Sequence, residues 1–273
     1  MKAQIHPLAQ GRKLNARRSI PDSRDLQLHE MHGLLSLPTK VDLREFCPPI
    51  YDQGQEGDCT SNGWRFAWEF LQLRDIRLGL PLDNMEFGAS SYTPVSTRFH
   101  YRCETDIEGD PGVDNGAQIM TGGKVFARYG ACRDVTWPSN TGVGTPEFLS
   151  VPAQNVYTEA AAHRRRTYYR LANFQCILQN LAYGFPVVGG YDLYDSFMSP
   201  YMAQTGIGQM PVLGEKFQGG HCMAIVGYDQ SSQTLLVRNS WGTDWGQEGY
   251  CTLKFDYFKN SNLFFDPVTL RPN

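Results

Sequence analysis

Three residues of this 273-residue chain stand in settings that suit nucleophilic chemistry: Cys59, His221 and Asn239. Cys59 closes the run Asp52-Gln53-Gly54-Gln55-Glu56-Gly57-Asp58-Cys59. Glycines 54 and 57 mark a tight loop there. Beyond it, apolar residues at 64, 67, 68 and 71 recur at helical spacing. A thiol where a loop feeds a helix feels the positive end of the dipole, which lowers its pKa toward the nucleophilic thiolate. Asp58 works the other way, adding negative charge beside the sulfur. A lone cysteine would be a buried structural one more often than a nucleophile; two other stretches reverse those odds.

Gly219-Gly220-His221-Cys222-Met223-Ala224-Ile225-Val226-Gly227-Tyr228-Asp229 reads as an apolar strand with a histidine near its start. Leu235-Leu236-Val237-Arg238-Asn239 reads as a second strand ending in an asparagine, and the turn-rich link 229–233 joins the two. A hairpin centred near residue 230 predicts that 221 and 239 pair at one end. The other histidines, at 6, 29, 32, 100 and 163, do not open an apolar strand. A thiol, a base and an orienting amide make up the generalised nucleophile–base–third-group arrangement.

In the chain order Gln53, Cys59, His221, Asn239 these stretches resemble the papain-like cysteine peptidases, and the Cys59-Thr60 pair resembles the bacterial branch. The most specific feature is Asn239-Ser240-Trp241-Gly242-Thr243-Asp244-Trp245-Gly246-Gln247-Glu248-Gly249-Tyr250, close to that family's Asn-Ser-Trp-Gly-x-x-Trp-Gly-x-x-Gly-Tyr run. The likeness spans residues 37–273. It implies an α+β papain-like two-lobe fold, with a helical lobe, an antiparallel β-barrel-like lobe and the active-site cleft between them. It also implies hydrolysis of peptide bonds in a peptide or protein substrate. A Cys59 thiolate would attack, an acyl-thioester would form, and His221 would protonate the leaving amine. Asn239 would fix the imidazole tautomer and Trp241 would shield that bond from water. Gln53 and the Cys59 N–H would hold the oxyanion.

For substrate binding, the family's glycine pair falls on Asn115-Gly116-Ala117, with Ala117 replacing the second glycine. Ile119, Gly219 and Cys222 fall where the main specificity pocket is lined, which implies a roomy pocket for an apolar or bulky side chain. Gly57, Gly220 and Trp241 complete the expected contact set. Thr60 stands where the family carries a tryptophan, and Glu56 where secreted members carry a bridge cysteine. The seven cysteines (47, 59, 103, 132, 176, 222 and 251) are therefore expected to be mostly reduced thiols. No metal or cofactor is implied, because no CxxC pair and no phosphate-binding glycine loop occurs. Two competitors use the same residues: an acyl transferase or peptide ligase, and a catalytically silent peptide-binding relative.

Hydrophobic residues make up 41% of the chain and the net charge is −3, so neither nucleic acid nor a membrane is expected as a partner. The charge is uneven. Residues 1–36 carry +3 (Lys2, Arg12, Lys13, Arg17, Arg18 and Arg24 against Asp22, Asp25 and Glu30), which leaves −6 on the remainder. A basic extension on an acidic body is expected to dock in cis and to cover the cleft as a plug. Met1–Gln10 lacks an apolar stretch, so no signal peptide is read and a cytoplasmic location is expected unless a dedicated export route acts.

Along the chain, residues 1–36 form the extension, 37–140 the helical lobe and 141–273 the β-rich lobe. The Cys59 helix should end near Leu78-Gly79. Residues 82–115 read as turn-rich, 117–129 as the second helix, and 137–152 as the crossing between lobes. The run His163-Arg164-Arg165-Arg166 reads as a solvated face. A short helix over 173–184, a buried strand over 185–191 and a strand over 250–255 complete the expectation.

Overall fold

A computed structural model describes residues 5–29, 36–80, 87, 91–139, 150–165 and 167–272. In chain order the elements are β1 (Gln27–Leu28), β2 (Lys40–Asp42), α1 (Cys59–Leu78), α2 (Thr97–Glu108), α3 (Ile119–Arg128), α4 (Gln154–Ala162), β3 (Tyr168–Leu171) and α5 (Phe174–Ala182). There follow β4 (Val187–Tyr194), α6 (Pro200–Thr205), β5 (Phe217–Asp229), β6 (Thr234–Arg238), β7 (Tyr250–Lys254), α7 (Phe255–Lys259) and β8 (Phe264–Leu270). The strands form one sheet in the order β1-β3-β8-β4-β5-β6-β7, with β2 added antiparallel to β5. This is the papain-like α+β fold: helices stacked against a largely antiparallel sheet.

Helix α1 is the hub. Its apolar residues Trp64, Phe66, Ala67, Trp68, Phe70 and Leu71 are all buried, so it is covered on nearly every side. Such a helix reads as a core element rather than an amphipathic surface one. It starts at Cys59 and stops at Gly79, whose φ of 62° ends the helix in the left-handed conformation. Gly122 of α3 lets Trp64 come close: a Cβ there would lie 2.0 Å from the Trp64 ring. Trp64 in turn donates its indole N–H to the Ile119 carbonyl at 2.7 Å. A second, smaller core joins Phe99, Cys103, Val125, Cys132, Val156 and Ala160, so α4 packs with α2 and α3 on the helical side.

Several expectations are corrected here. The stretch read as turn-rich contains α2, started by a Ser96 side chain that accepts from the Phe99 N–H at 3.0 Å and ended at Gly109. Its inward positions include Arg98, His100, Arg102 and Glu104, all buried, and this polar lining hid the helical period. The hairpin register is also different. Ala224 faces Arg238 and Tyr228 faces Leu235, with a bulge between Ile225 and Gly227. Residues 221 and 239 are thus not paired across the ladder; their side chains meet diagonally. Arg165, read as part of a solvated face, is buried: its N–H bonds the Phe126 carbonyl at 3.1 Å and its guanidinium bonds the Arg271 carbonyl. Most of the crossing expected at 137–152 lies outside the described residues.

The seven cysteines are free thiols. Removing the cap with Ser96→Ala should lower unfolding stability by about 1 kcal/mol, measured by urea denaturation, because one helix-start N–H loses its acceptor. An unchanged midpoint would mean that the cap contributes nothing.

Candidate active site

Three elements converge on Cys59. The first residue of α1 supplies the thiol, β5 delivers His221, and Asn239 follows directly on β6. Cys59 and His221 are fully buried and Asn239 nearly so. The Cys59 sulfur takes a hydrogen bond from the backbone N–H of Cys222, the residue after His221. His221 Nε2 lies 2.8 Å from Asn239 Oδ1. An amide oxygen accepts only, so Nε2 carries the proton and Nδ1 is left as the basic atom. Among the described residues Nδ1 has no hydrogen-bond partner. Asn239 Oδ1 also accepts the Ser240 N–H at 2.8 Å, which holds the amide in place. Trp241 packs over His221 with ring centroids 4.9 Å apart, and Trp245 and Phe197 back it.

Gln53 ties the nucleophile loop to the asparagine strand. Its Oε1 accepts from the Ser240 hydroxyl at 2.6 Å and its Nε2 donates to the Glu56 carbonyl at 3.0 Å. The second Nε2 hydrogen remains available. Behind the helix start, Thr60 donates to Glu104 at 2.8 Å, a buried polar contact where the family carries an indole. Sequence inspection gave no reason to single out Glu104, which lies in the unrecognised helix α2.

The extension runs through the groove between these elements. Ala16 N–H bonds the Gly220 carbonyl at 3.0 Å, Arg17 N–H bonds the Ala117 carbonyl at 2.9 Å, and Ile119 N–H bonds the Arg17 carbonyl at 3.3 Å. Both Asn15–Gly220 and Arg17–Gln118 pair in parallel. The fit depends on absent side chains: a Cβ would lie 2.1 Å from the Asn15 carbonyl oxygen at Gly116, and 2.1 Å from that of Ala16 at Gly220. Gly219 is crowded in the same way by the Leu14 carbonyl oxygen, whereas at Gly57 a Cβ would meet the Asn15 side-chain amide and the Asp114 carboxylate, each at 2.5 Å. Of the expected substrate contacts, Gly57, Gly116, Ala117, Ile119, Gly219 and Gly220 therefore all line the groove that the extension fills. Asn115 is exposed and takes no part in these bonds. Cys222 departs from expectation, because its sulfur is directed at Gly63 of α1, where a Cβ would lie 2.8 Å away.

Cations of the extension meet anions of the body. Arg12 pairs with Asp52, Lys13 with Asp114, Arg17 with Glu108, and Arg18 with Asp192 at 2.6 Å. Partly exposed pairs of this kind contribute about 0–1 kcal/mol each. The ladder bonds and the close backbone fit therefore carry the docking at least as much as the charges do. The Arg12 guanidinium also lies 5.9 Å from the Trp241 ring centroid.

Enclosure changes the expected electrostatics. Burial pushes the Cys59 thiol up to about 12; the Cys222 N–H opposes this, and Asp58 and Glu104 add to it. Burial lowers His221 to about 4, the Asn239 bond resists, and Arg12 lowers it further. The sequence favours a thiolate beside an imidazolium, whereas burial in this site pushes the thiol up and the imidazole down, both toward the neutral form. Asp58 is itself raised to about 8 by burial and by Glu56 and Asp114, so near neutrality it is largely protonated and troubles the sulfur less than its type suggests.

A thiol at a helix start beside a histidine–asparagine pair, on this helix-and-sheet frame, is the architecture of a thiol hydrolase. Comparison with known proteins gives the family. Residues 144–263 match the family model described as papain family cysteine protease. A peptidase C1-like protein of Acanthamoeba polyphaga mimivirus is 32% identical over 244 residues, spanning 86% of this chain and 73% of that protein. The crystal structure of xylellain, a cysteine protease from Xylella fastidiosa, superposes with a TM-score of 0.83 at 28% identity, covering 96% of this chain and 97% of that one. Procathepsin B from Trypanosoma congolense shares the fold at a TM-score of 0.70 and 19% identity, over 96% and 87% of the two chains. The chain belongs to the papain family of cysteine proteases and is a hydrolase.

In the intact chain between pH 5 and 8, iodoacetamide should modify Cys59 on the order of a thousandfold more slowly than a free cysteine of pKa about 8.5. The sign follows from a raised thiol: the reactive thiolate appears only as pH climbs toward 12. Peptide mapping checks this, and fast Cys59 labelling at pH 6 would contradict the neutral pair.

Proposed function

We propose that Cys59 is the nucleophile, that His221 is the base and acid, and that residues 5–22 control access to them in cis. The observation that carries this is the buried 2.8 Å His221–Asn239 contact beside a thiol that bonds the next residue of the same strand. The Asn239 bond leaves Nδ1 of His221 to take the thiol proton, and attack by the resulting thiolate on a peptide carbonyl gives a tetrahedral oxyanion. The free Nε2 hydrogen of Gln53 and the Cys59 N–H are the donors for that oxygen. Collapse expels the amine, which takes its proton from His221 and leaves a thioester on Cys59. Water, deprotonated by His221, then hydrolyses the thioester and restores the thiol.

The cis role rests on the ladder bonds and the four ion pairs that set the extension along the groove. Its release returns water to the cleft. The desolvation that keeps Cys59 and His221 neutral then weakens, and the helix dipole favours the ion pair.

A chain beginning at Asp22 suits the test, because it keeps β1, the Asp22–Lys124 pair at 3.1 Å and the Asp25–Arg170 pair at 3.4 Å. Its kcat/KM on a fluorogenic peptide should exceed that of the intact chain at least tenfold. In that background Cys59→Ala should abolish turnover and Gln53→Ala should lower kcat about 100- to 1,000-fold. Turnover that survives Cys59→Ala would remove the nucleophile assignment, and equal rates for the two chain lengths would remove the cis role.

A further inference from the structure

Three of the four carboxylates along the groove, Asp114, Glu108 and Asp52, are held by the body as well as by the extension. Asp114 Oδ1 accepts the Gly57 N–H at 3.0 Å and the Tyr101 hydroxyl at 2.6 Å, leaving Oδ2 for Lys13. Glu108 Oε1 accepts the Gln118 N–H at 2.7 Å, leaving Oε2 for Arg17. Asp52 Oδ1 accepts the Gly54 N–H at 2.9 Å. These bonds come from backbone and side chains outside the extension, so they persist when it leaves. Asp114 stays below the ordinary carboxylate range although burial works against it, because Lys13 and Tyr101 bond its charged form.

The acids also lie in sequence along the bound strand. The order is Asp52, Asp114, Glu108 and Asp192 for residues 12, 13, 17 and 18. Beside these ion pairs, the groove holds the backbone of Ala16 and Arg17 through the Gly220 carbonyl, the Ala117 carbonyl and the Ile119 N–H, and the Arg17 guanidinium also donates to the Gly116 carbonyl at 3.2 Å. Backbone contacts accept any extended peptide, whereas fixed carboxylates at set spacing discriminate by charge.

From this arrangement we infer that the opened groove selects extended peptides carrying Lys or Arg at the spacing of residues 12, 13, 17 and 18, using Asp52, Asp114, Glu108 and Asp192. The extension is then a tethered member of the substrate class the groove recognises, and a cationic peptide competes for the same carboxylates. This inference rests on the cleft being the substrate site proposed above; it does not require that Cys59 perform the chemistry.

The test uses the full chain, opened by Arg12→Glu and Arg17→Glu and silenced by Cys59→Ala so that bound peptides stay intact. Two labelled peptides with an unrelated core, Arg-Lys-Ala-Thr-Leu-Arg-Arg and Gln-Gln-Ala-Thr-Leu-Gln-Gln, are compared by fluorescence anisotropy. The basic peptide should bind at least tenfold tighter. Adding Glu108→Gln and Asp114→Asn, which keep the internal acceptor oxygens, should bring the ratio within threefold. Asp256→Asn, at a remote and mostly exposed carboxylate, should leave the ratio unchanged. Equal binding, no binding of either peptide, or a preference that survives the Glu108 and Asp114 changes would overturn the inference. With Cys59 restored, failure to cleave the basic peptide while the preference persists would count against the nucleophile assignment and would support selection by charge independently of it.

Discussion

Close approach of two backbones is the constraint on which the site depends. Gly219 and Gly220 on the sheet side, and Gly116 on the helical side, let the backbone of the extension come close, while Gly57 makes room for the Asn15 side chain. The extension occupies the slot between them with ladder hydrogen bonds. With the extension in the slot, Cys59 and His221 are fully buried. Under the cis role proposed above, one packing event would set both steric access and the protonation state of the pair.

This coupling reconciles two opposing tendencies at Cys59. The helix start favours a thiolate, while burial of the sulfur favours a neutral thiol, and burial is the larger influence. His221 follows the same logic in the opposite direction, with Arg12 adding a like charge beside it. Trp241 and the fixed Asn239 amide hold the imidazole in position. The chain thus brings a thiol, an imidazole and an amide together in one buried site.

Much of this was legible in residue order. Gln53, Cys59, His221 and Asn239 announced themselves through the loop, the helix start and the Asn-Ser-Trp-Gly run, and α1 ended where Gly79 predicts. The basic extension on an acidic body pointed to docking, and the pairs at Arg12, Lys13, Arg17 and Arg18 now give it residues. What escaped did so for physical reasons. Helix α2 buries Arg98 and Arg102 on one side and His100 and Glu104 on the other, so it shows no apolar stripe. The register of β5 on β6 turned on a bulge between Ile225 and Gly227 that no residue type marks. Arg165 satisfies its backbone and guanidinium through partners distant in sequence, the Phe126 and Arg271 carbonyls. The neutral state of the pair depends on three-dimensional burial, which local spacing does not encode.

The central claim is that Cys59 is a nucleophile held under the extension, and a peptidyl epoxide tests it most directly. The intact chain and the chain beginning at Asp22 would be treated alike and the modified residue mapped by mass spectrometry. The account predicts Cys59 labelled in the shortened chain and protected in the intact one. A folded, shortened chain whose Cys59 stays unlabelled would contradict it.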